Sequence, residues 1–351
     1  MIELAIKKVA DRSDLDSDLI SESVQEIVDG RASAAQIGAL LLGLKMKGET
    51  PAEMASFAKA LRQFSVRLFP KISGRIIDTC GTGGDMSGTF NVSTLAAIVA
   101  AGAGAKVAKH GNRSVSSRCG SADLLEKLGL NLNASPDSVQ KSLEEIGIGF
   151  LFAPAFHPAL KKVAGIRKEL GIRTVFNLMG PLLNPVPIRG QLMGVYSESL
   201  VPVMAEVLKI SGLDEAIVVH GSEGVDEISV RGKTVLSWLK NGKIETFEYT
   251  PEEMGVRLYT EPPIRISNVE ESATLTMKIL SGGAHGLAHD MVVVNAAGAL
   301  VVSGLVDDFK EGCELANLSI ETGEALKKLQ ALVSFAQRDS VGVKQVAENT
   351  T

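Results

Sequence analysis

Residues 76–94 read IIDTCGTGGDMSGTFNVST. An apolar run ending in Asp78 passes into a glycine-rich loop, and an alanine-rich run begins at Thr94. The pattern is a strand, a turn with freedom for unusual backbone angles, and a helix. The same alternation continues downstream. Short apolar runs at AKVAKHG (105–111), IGFLFAP (148–154), RGQLMGVYS (189–197) and EAIVVHG (215–221) are separated by helical stretches such as SADLLEKLG, SPDSVQKSLEEIG and SLVPVMAEVLKISG. Strand and helix in turn imply βαβ units and a mainly parallel sheet flanked by helices, so this part of the chain is an α/β domain.

Upstream the pattern differs. Residues 1–70 give helices without strands: one stretch closes on Gly30, another on Gly48, and a third opens with Thr50 as cap and Pro51 at the first helical position. We therefore divide the chain into a small all-helical domain, 1–70, and a larger α/β domain, 74–351. Residues 157–185 interrupt the α/β rhythm with two helical segments and a proline-rich exit, and are expected to pack back on the N-terminal helices. Beyond residue 232, two alternating runs around Asn241-Gly242 predict a hairpin.

Composition narrows the function. The chain has 351 residues and a net charge of −5, and this acidic balance argues against bulk nucleic-acid binding, which needs surplus Lys and Arg. Cys80, Cys119 and Cys313 are odd in number and far apart, so neither a disulfide framework nor a zinc site is expected. The N-terminus lacks the charge and apolar pattern of a signal peptide, and no run reaches the roughly 20 apolar residues of a spanning helix. These features predict a soluble, cytoplasmic protein with no membrane or nucleic-acid partner.

Two constellations carry chemistry. Asp78 is read as the end of a strand, which puts GTGGD at the carboxyl edge of the sheet, where open α/β folds bind ligands. Gly81, Gly83 and Gly84 would let backbone N–H groups approach an anion, and the helix starting near Ser93 would add free N–H groups and a positive dipole end. Such a loop is also compatible with a plain turn. It lacks the lysine of GxxxxGK[ST] and does not reproduce GxGxxG with a distal acid, which weakens the triphosphate and dinucleotide readings. The second constellation, KHGNRSVSSRCGSAD (109–123), follows the next strand and returns to the same edge. Lys109, His110, Asn112, Arg113 and Ser114, Ser116, Ser117 and Ser121 suit a pyrophosphate and ribose hydroxyls, and Ser121 is expected to cap the following helix. His285 and His289 stand four apart, but Gly286 occupies the glutamate position of HExxH, which argues against a metal pair there.

The motifs DTCGTGGD, FNVST, KHGNRSVSS, GSADLLEKLG, RKELGIRTVFNLMGPLLNP and VDEIS, in this order, resemble the signature series of the anthranilate phosphoribosyltransferase family. The resemblance covers nearly the whole chain. It implies a nucleoside-phosphorylase-like fold, homodimers made through the helical domains, and Mg²⁺-dependent transfer of phosphoribose from PRPP to the amine of anthranilate in tryptophan biosynthesis. Carried over by motif, the PRPP site would comprise Gly81, Gly84, Asp85, Thr89, Asn91, Val92, Ser93 and Thr94, with the loop Lys109, His110, Gly111, Asn112, Arg113, Ser114, Val115, Ser116 and Ser117, and Ser121. Ser93, Asp226 and Glu227 resemble the Mg²⁺ ligands. Gly81, Asn112 and Arg167 resemble the anthranilate site, with His110, Pro154 and His157 nearby and Arg167 ranked above Arg173. No general base is implied. Lys109 would stabilise the leaving group electrostatically. A pyrimidine-nucleoside phosphorylase and a noncatalytic nucleic-acid-binding relative share the fold, and the Asp-Glu pair, the KHGNR loop and the acidic charge weigh against both. Gly165 stands where bulkier residues are common, a departure in the segment that presents Arg167.

Overall fold

The computed structural model describes residues 1–85, 87–114 and 118–348, the side chains of 339–348 excepted. One sheet holds β1 (Ile76–Gly81), β2 (Lys106–Gly111), β3 (Ile148–Phe152), β4 (Gly190–Gly194), β5 (Glu215–Gly221), β6 (Thr234–Lys240) and β7 (Lys243–Tyr249). Their order is β3-β2-β1-β4-β5-β6-β7. The first five run parallel, and β6 and β7 add antiparallel. β6 and β7 form the expected hairpin: Asn241 and Gly242 take φ of 52° and 73°, the left-handed pair that a two-residue turn requires.

The chain winds from β1 through β2 to β3 in one direction, then returns to β4 and β5 on the other side of β1. The β1/β4 boundary is therefore the topological switch point, and a crevice opens beyond the carboxyl ends of these two strands. Both strands are buried on both faces. On one face Ile77, Val107, Leu192 and Ile217 pack against the helices 92–102 and 287–303. On the other, Met193, Ala216 and Val218 pack against the helix Leu200–Ile210.

The N-terminal helices Ile2–Ala10, Ser17–Asp29, Ala34–Lys47 and Pro51–Arg62 form a bundle. Ser33 with Gln36 and Thr50 with Glu53 make reciprocal capping boxes, and Pro51 occupies the first turn. Glu53 is buried and accepts from Leu15 N (2.9 Å), Thr50 N (2.9 Å) and Lys47 Nζ (2.8 Å), so one carboxylate ties three parts of the bundle. The excursion supplies the helix Lys161–Leu170, which packs on the helices 34–47 and 17–29. Val163 and Phe176 share one core with the bundle and with Met193 and Val218 of the sheet. The bundle, the excursion and one face of the sheet are thus continuous. No helix among the described residues is long and apolar enough to cross a membrane.

Two local expectations are corrected. Asp78 lies inside β1, fully buried, because pairing with β4 carries the strand on to Gly81. Gly120 takes the cap position of the helix Ser121–Lys127, with its N–H bonded to Asp123 Oδ2 (2.9 Å), so Ser121 is the first helical residue and not its cap. The helix after the glycine loop starts at Val92, beside Ser93 as expected.

Candidate functional site

Gly81 and Gly194 are register partners at the ends of β1 and β4. A Cβ on Gly81 would stand 2.3 Å from Asp226 Oδ2, and one on Gly194 1.5 Å from the Asp226 carbonyl oxygen. Glycine at both strand ends therefore makes room for Asp226 at the switch point. The side chain accepts from Gly83 N at 2.7 Å, and Gly83 and Gly84 hold positive φ of 65° and 78°. Asp226 thus fastens the glycine loop from beneath. Glu227 accepts from Ser93 N at 3.2 Å, fixing the first turn of the following helix. The expected free N–H groups at that turn are engaged: Ser93 N bonds Glu227, Val92 N the carbonyl of Phe90, and Thr94 N that of Asn91. Asn91 itself bridges Cys119 O (3.0 Å) and Ser272 Oγ (2.9 Å), a bracing role.

Lys109 leaves β2 and is buried, donating to Thr79 O (2.5 Å) and Ser93 Oγ (3.3 Å). Around it stand several carboxylates. Burial pushes the Asp226 and Glu227 carboxyls up, and the charge of Asp85 beside Asp226, and of Asp226 beside Glu227, pushes further in the same direction. Asp85 accepts from Ser87 N through one oxygen (3.2 Å) and, among the described residues, turns its buried second oxygen to no cationic partner, with its side chain beside Asp226. The site is short of positive charge, which is what a cation supplies. Among the described residues no three His, Cys, Asp or Glu close around a single point. Oxygen donors of this kind, too few to enclose an ion, fit Mg²⁺, which usually takes one or two carboxylates and completes its shell with water and substrate phosphate.

Asp78 accepts from His110 N (3.2 Å) and Asn184 Nδ2 (2.9 Å), joining β1, β2 and the end of the excursion. His110 faces Gly180 O through Nδ1 (3.2 Å) and meets His157 edge to face, with ring centroids 5.1 Å apart. Both rings keep a buried Nε2 without a partner. Burial holds both imidazoles low, His110 at about 3 and His157 at about 4, so both are neutral at physiological pH.

Arg167 lies half-buried on the helix 161–170, with its guanidinium 5.5 Å from the Phe176 ring centre. It pairs with no carboxylate among the described residues, and burial alone lowers its pKa. Arg173 instead donates to Gly84 O and stacks over Tyr196 at 4.0 Å, clasping the glycine loop to β4. A Cβ at Gly165 would meet nothing within 4 Å, so that departure leaves the helix packing intact.

Ser93, Lys109, Asp226 and Glu227 therefore converge, with Gly81, Gly84 and Asp85 beside them. Thr94 keeps a buried hydroxyl without a partner, and Thr89 N bonds Ser87 Oγ (3.2 Å). Arg113 diverges: it pairs with Asp123 (3.0 Å) and Glu126 (2.7 Å) on the surface. Asn112 Oδ1 accepts from Arg113 N (2.8 Å), and Ser121 Oγ donates to Asn112 O (3.3 Å). Gly111 packs against Ser121 and Phe150, and Ser114 N bonds Asp123 Oδ2 (3.0 Å). Val115, Ser116 and Ser117 lie outside the described residues. Sequence reasoning missed Asn295, whose amide accepts from Ile228 N (3.0 Å) and donates to Ile228 O (3.0 Å), pinning the residue after Glu227. An asparagine inside the apolar helix Leu287–Ser303 was the available signal.

Comparison with known proteins identifies the family and the fold. A family model described as glycosyl transferase family, a/b domain, matches residues 73–326, and the helical bundle domain of the same family matches residues 4–65. An anthranilate phosphoribosyltransferase of Aquifex aeolicus is 44% identical, covering 96% of this chain and 99% of its own length. The enzyme of that name from Thermoanaerobacter is 45% identical over the same shares. Among solved structures, the anthranilate phosphoribosyltransferase of Thermus thermophilus superposes with a TM-score of 0.90 at 39% identity, covering 95% of this chain and 99% of that one. The Saccharomyces cerevisiae enzyme in complex with PRPP and Mg superposes at 0.87 and 30% identity, covering 96% and 98%.

Proposed function

The chain belongs to the anthranilate phosphoribosyltransferase family of glycosyl transferases and is an enzyme of the pentosyltransferase type, and from this premise we propose that it carries out Mg²⁺-dependent transfer of 5-phosphoribose from PRPP to anthranilate. The products are N-(5-phosphoribosyl)anthranilate and pyrophosphate. The observation that carries the reading is the cation-deficient cluster of Asp85, Asp226 and Glu227 against the glycine loop and Lys109, at the switch point of the sheet.

In this reading the bond from ribose C1 to pyrophosphate breaks while the anthranilate nitrogen bonds to C1. The nitrogen then loses its proton to water or to the departing pyrophosphate. When bound at Ser93, Asp226 and Glu227, Mg²⁺ supplies positive charge to the pyrophosphate oxygens. Lys109 adds a fixed positive charge at the same place, and the backbone of residues 81–85 shapes the cradle. Arg167 offers a planar fork to the anthranilate carboxylate, in a half-buried setting without a competing carboxylate. Asn112 belongs with Arg167 to the anthranilate site in this reading, with the neutral His110 and His157 as further candidates there. An aryl amine is nucleophilic when neutral, so no general base is assigned, and positioning carries that half of the reaction.

The test is loss of anthranilate fluorescence with purified protein. Loss that requires both PRPP and Mg²⁺ supports the reading. Unchanged fluorescence with all three present would sink it.

A further inference from the structure

At the opposite edge of the sheet, where β4 and β5 begin, a cavity of about 230 Å³ opens between the bundle and the α/β domain. It is far larger than the space of a single water. Its floor is the segment 181–189, and Leu208 and Leu213 form an apolar wall.

Two guanidinium groups face this space. Arg62, the last residue of its helix, is half-buried and donates to Leu182 O at 3.0 Å. Arg67 stands nearby, exposed, with its guanidinium 4.8 Å from the Phe69 ring centre. Neither pairs with a carboxylate among the described residues, and no Asp or Glu lines the cavity. Burial, and then the charge of Arg67, lower the Arg62 pKa, so the two cations are held together at a cost. Arg189 at the rim is already paired with Asp214.

The neutral groups are occupied or turned away. The Asn184 amide is committed to Asp78 and Ala108 O, and that of Gln191 to Cys80 Sγ and Pro181 O. The Ser211 hydroxyl is buried away from the open space, so no neutral side chain of the lining competes with the two guanidinium groups for a ligand. Two guanidinium groups without carboxylate partners among the described residues border an open cleft that an anion would complete. The apolar wall favours an anion with a hydrocarbon body over a bare inorganic ion.

We propose that this cavity is a second anion-binding site, separate from the glycine-loop site, taking a small organic carboxylate or phosphate monoester on Arg62 and Arg67. Benzoate and phenyl phosphate serve as probes, each titrated calorimetrically into the full chain, into Arg62→Gln/Arg67→Gln and into Arg167→Gln. The expected result is saturable binding of at least one probe that weakens tenfold or more in the double variant and persists in Arg167→Gln. Preference for benzoate assigns the site to carboxylates, and preference for phenyl phosphate to phosphate esters. Should the double variant not fold, Arg67→Gln alone leaves the Arg62–Leu182 bond in place and is expected to weaken binding at least threefold. Isotherms that coincide between the folded variant and the wild type, or no saturable binding to the wild type, overturn the proposal. These readouts do not depend on phosphoribosyl transfer.

Discussion

Asp226 shows how much one side chain asks of its neighbours. Two strands must end in glycine so that it fits, and the two positions differ in what they touch. At Gly81 an added methyl meets the carboxylate, which can rotate away from Gly83 N and from the metal position. At Gly194 it meets the backbone carbonyl, which cannot move without shifting the chain. We therefore expect Gly81→Ala to fold with a melting temperature close to wild type and a Mg²⁺ requirement raised at least tenfold. Gly194→Ala should lose about 1–3 kcal/mol or more of stability. Thermal melts and Mg²⁺ titration of the rate check both, and equal stability loss in the two variants would contradict the assignment.

Lys109 and Arg167 separate two subsites at the same scale. Lys109→Ala should raise the PRPP requirement, and Arg167→Ala should raise the anthranilate requirement roughly 10- to 100-fold, the range expected when a charged hydrogen bond worth about 1.5–3 kcal/mol is lost. Steady-state KM values for each substrate decide it. The reverse pattern would show the subsites exchanged.

Among the elements, the strands at the site were legible because buried parallel strands read as apolar runs ended by glycine. What each loop residue does was less legible. The N–H groups at the start of the helix 92–102 are taken partly by Glu227, which lies 134 residues away in the chain, and periodicity carries no information about such a pairing. Arg113 is different: Asp123 and Glu126, its partners, stand in the next helix, and that local charge pattern was open to reading. The excursion 157–185 meets the sheet through His110 and His157, which makes this joint sensitive to acid. Their folded pKa values of about 3 and 4 lie below the roughly 6.5 of an unfolded histidine. The unfolded chain therefore takes up protons first, and stability present above pH 6.5 is lost as pH falls toward 4. Asp78 acts in the opposite sense, since burial raises its pKa to about 6 and stability returns as it protonates below that value. Asp226 and Glu227, also raised by burial, act in the same sense as Asp78, so the histidine contribution is isolated by comparing a variant with the wild type. Between pH 6.5 and 4.5 the urea midpoint of His157→Gln should fall less, or rise more, than that of the wild type; an unchanged slope in that variant would remove His157 from the account.

For the molecule as a whole, alternation of strand and helix was enough to find the α/β domain and the helical segment before it. It did not reveal that the bundle shares one core with the sheet, because that contact runs through Val163, Phe176 and Met193, residues from separate stretches of chain. This continuity bears on assembly. The bundle's inner face is committed to the sheet, while Leu4, Leu42 and Met46 are exposed by 45%, 43% and 70% on its outer helices. Leu42 and Met46 are one turn apart on the helix 34–47, so they form a stripe and not scattered positions. Exposed apolar residues grouped in this way suit an interface, and we propose a second copy of the bundle as the partner, as expected of homodimers made through the helical domains. Light scattering on the purified protein should give twice the mass of the 351-residue chain. Met46→Glu, which places a charge in the stripe without touching the core, should shift the protein toward monomer at micromolar concentration. A wild-type mass equal to one chain, or a Met46→Glu variant as dimeric as the wild type, would place the contact elsewhere or remove it.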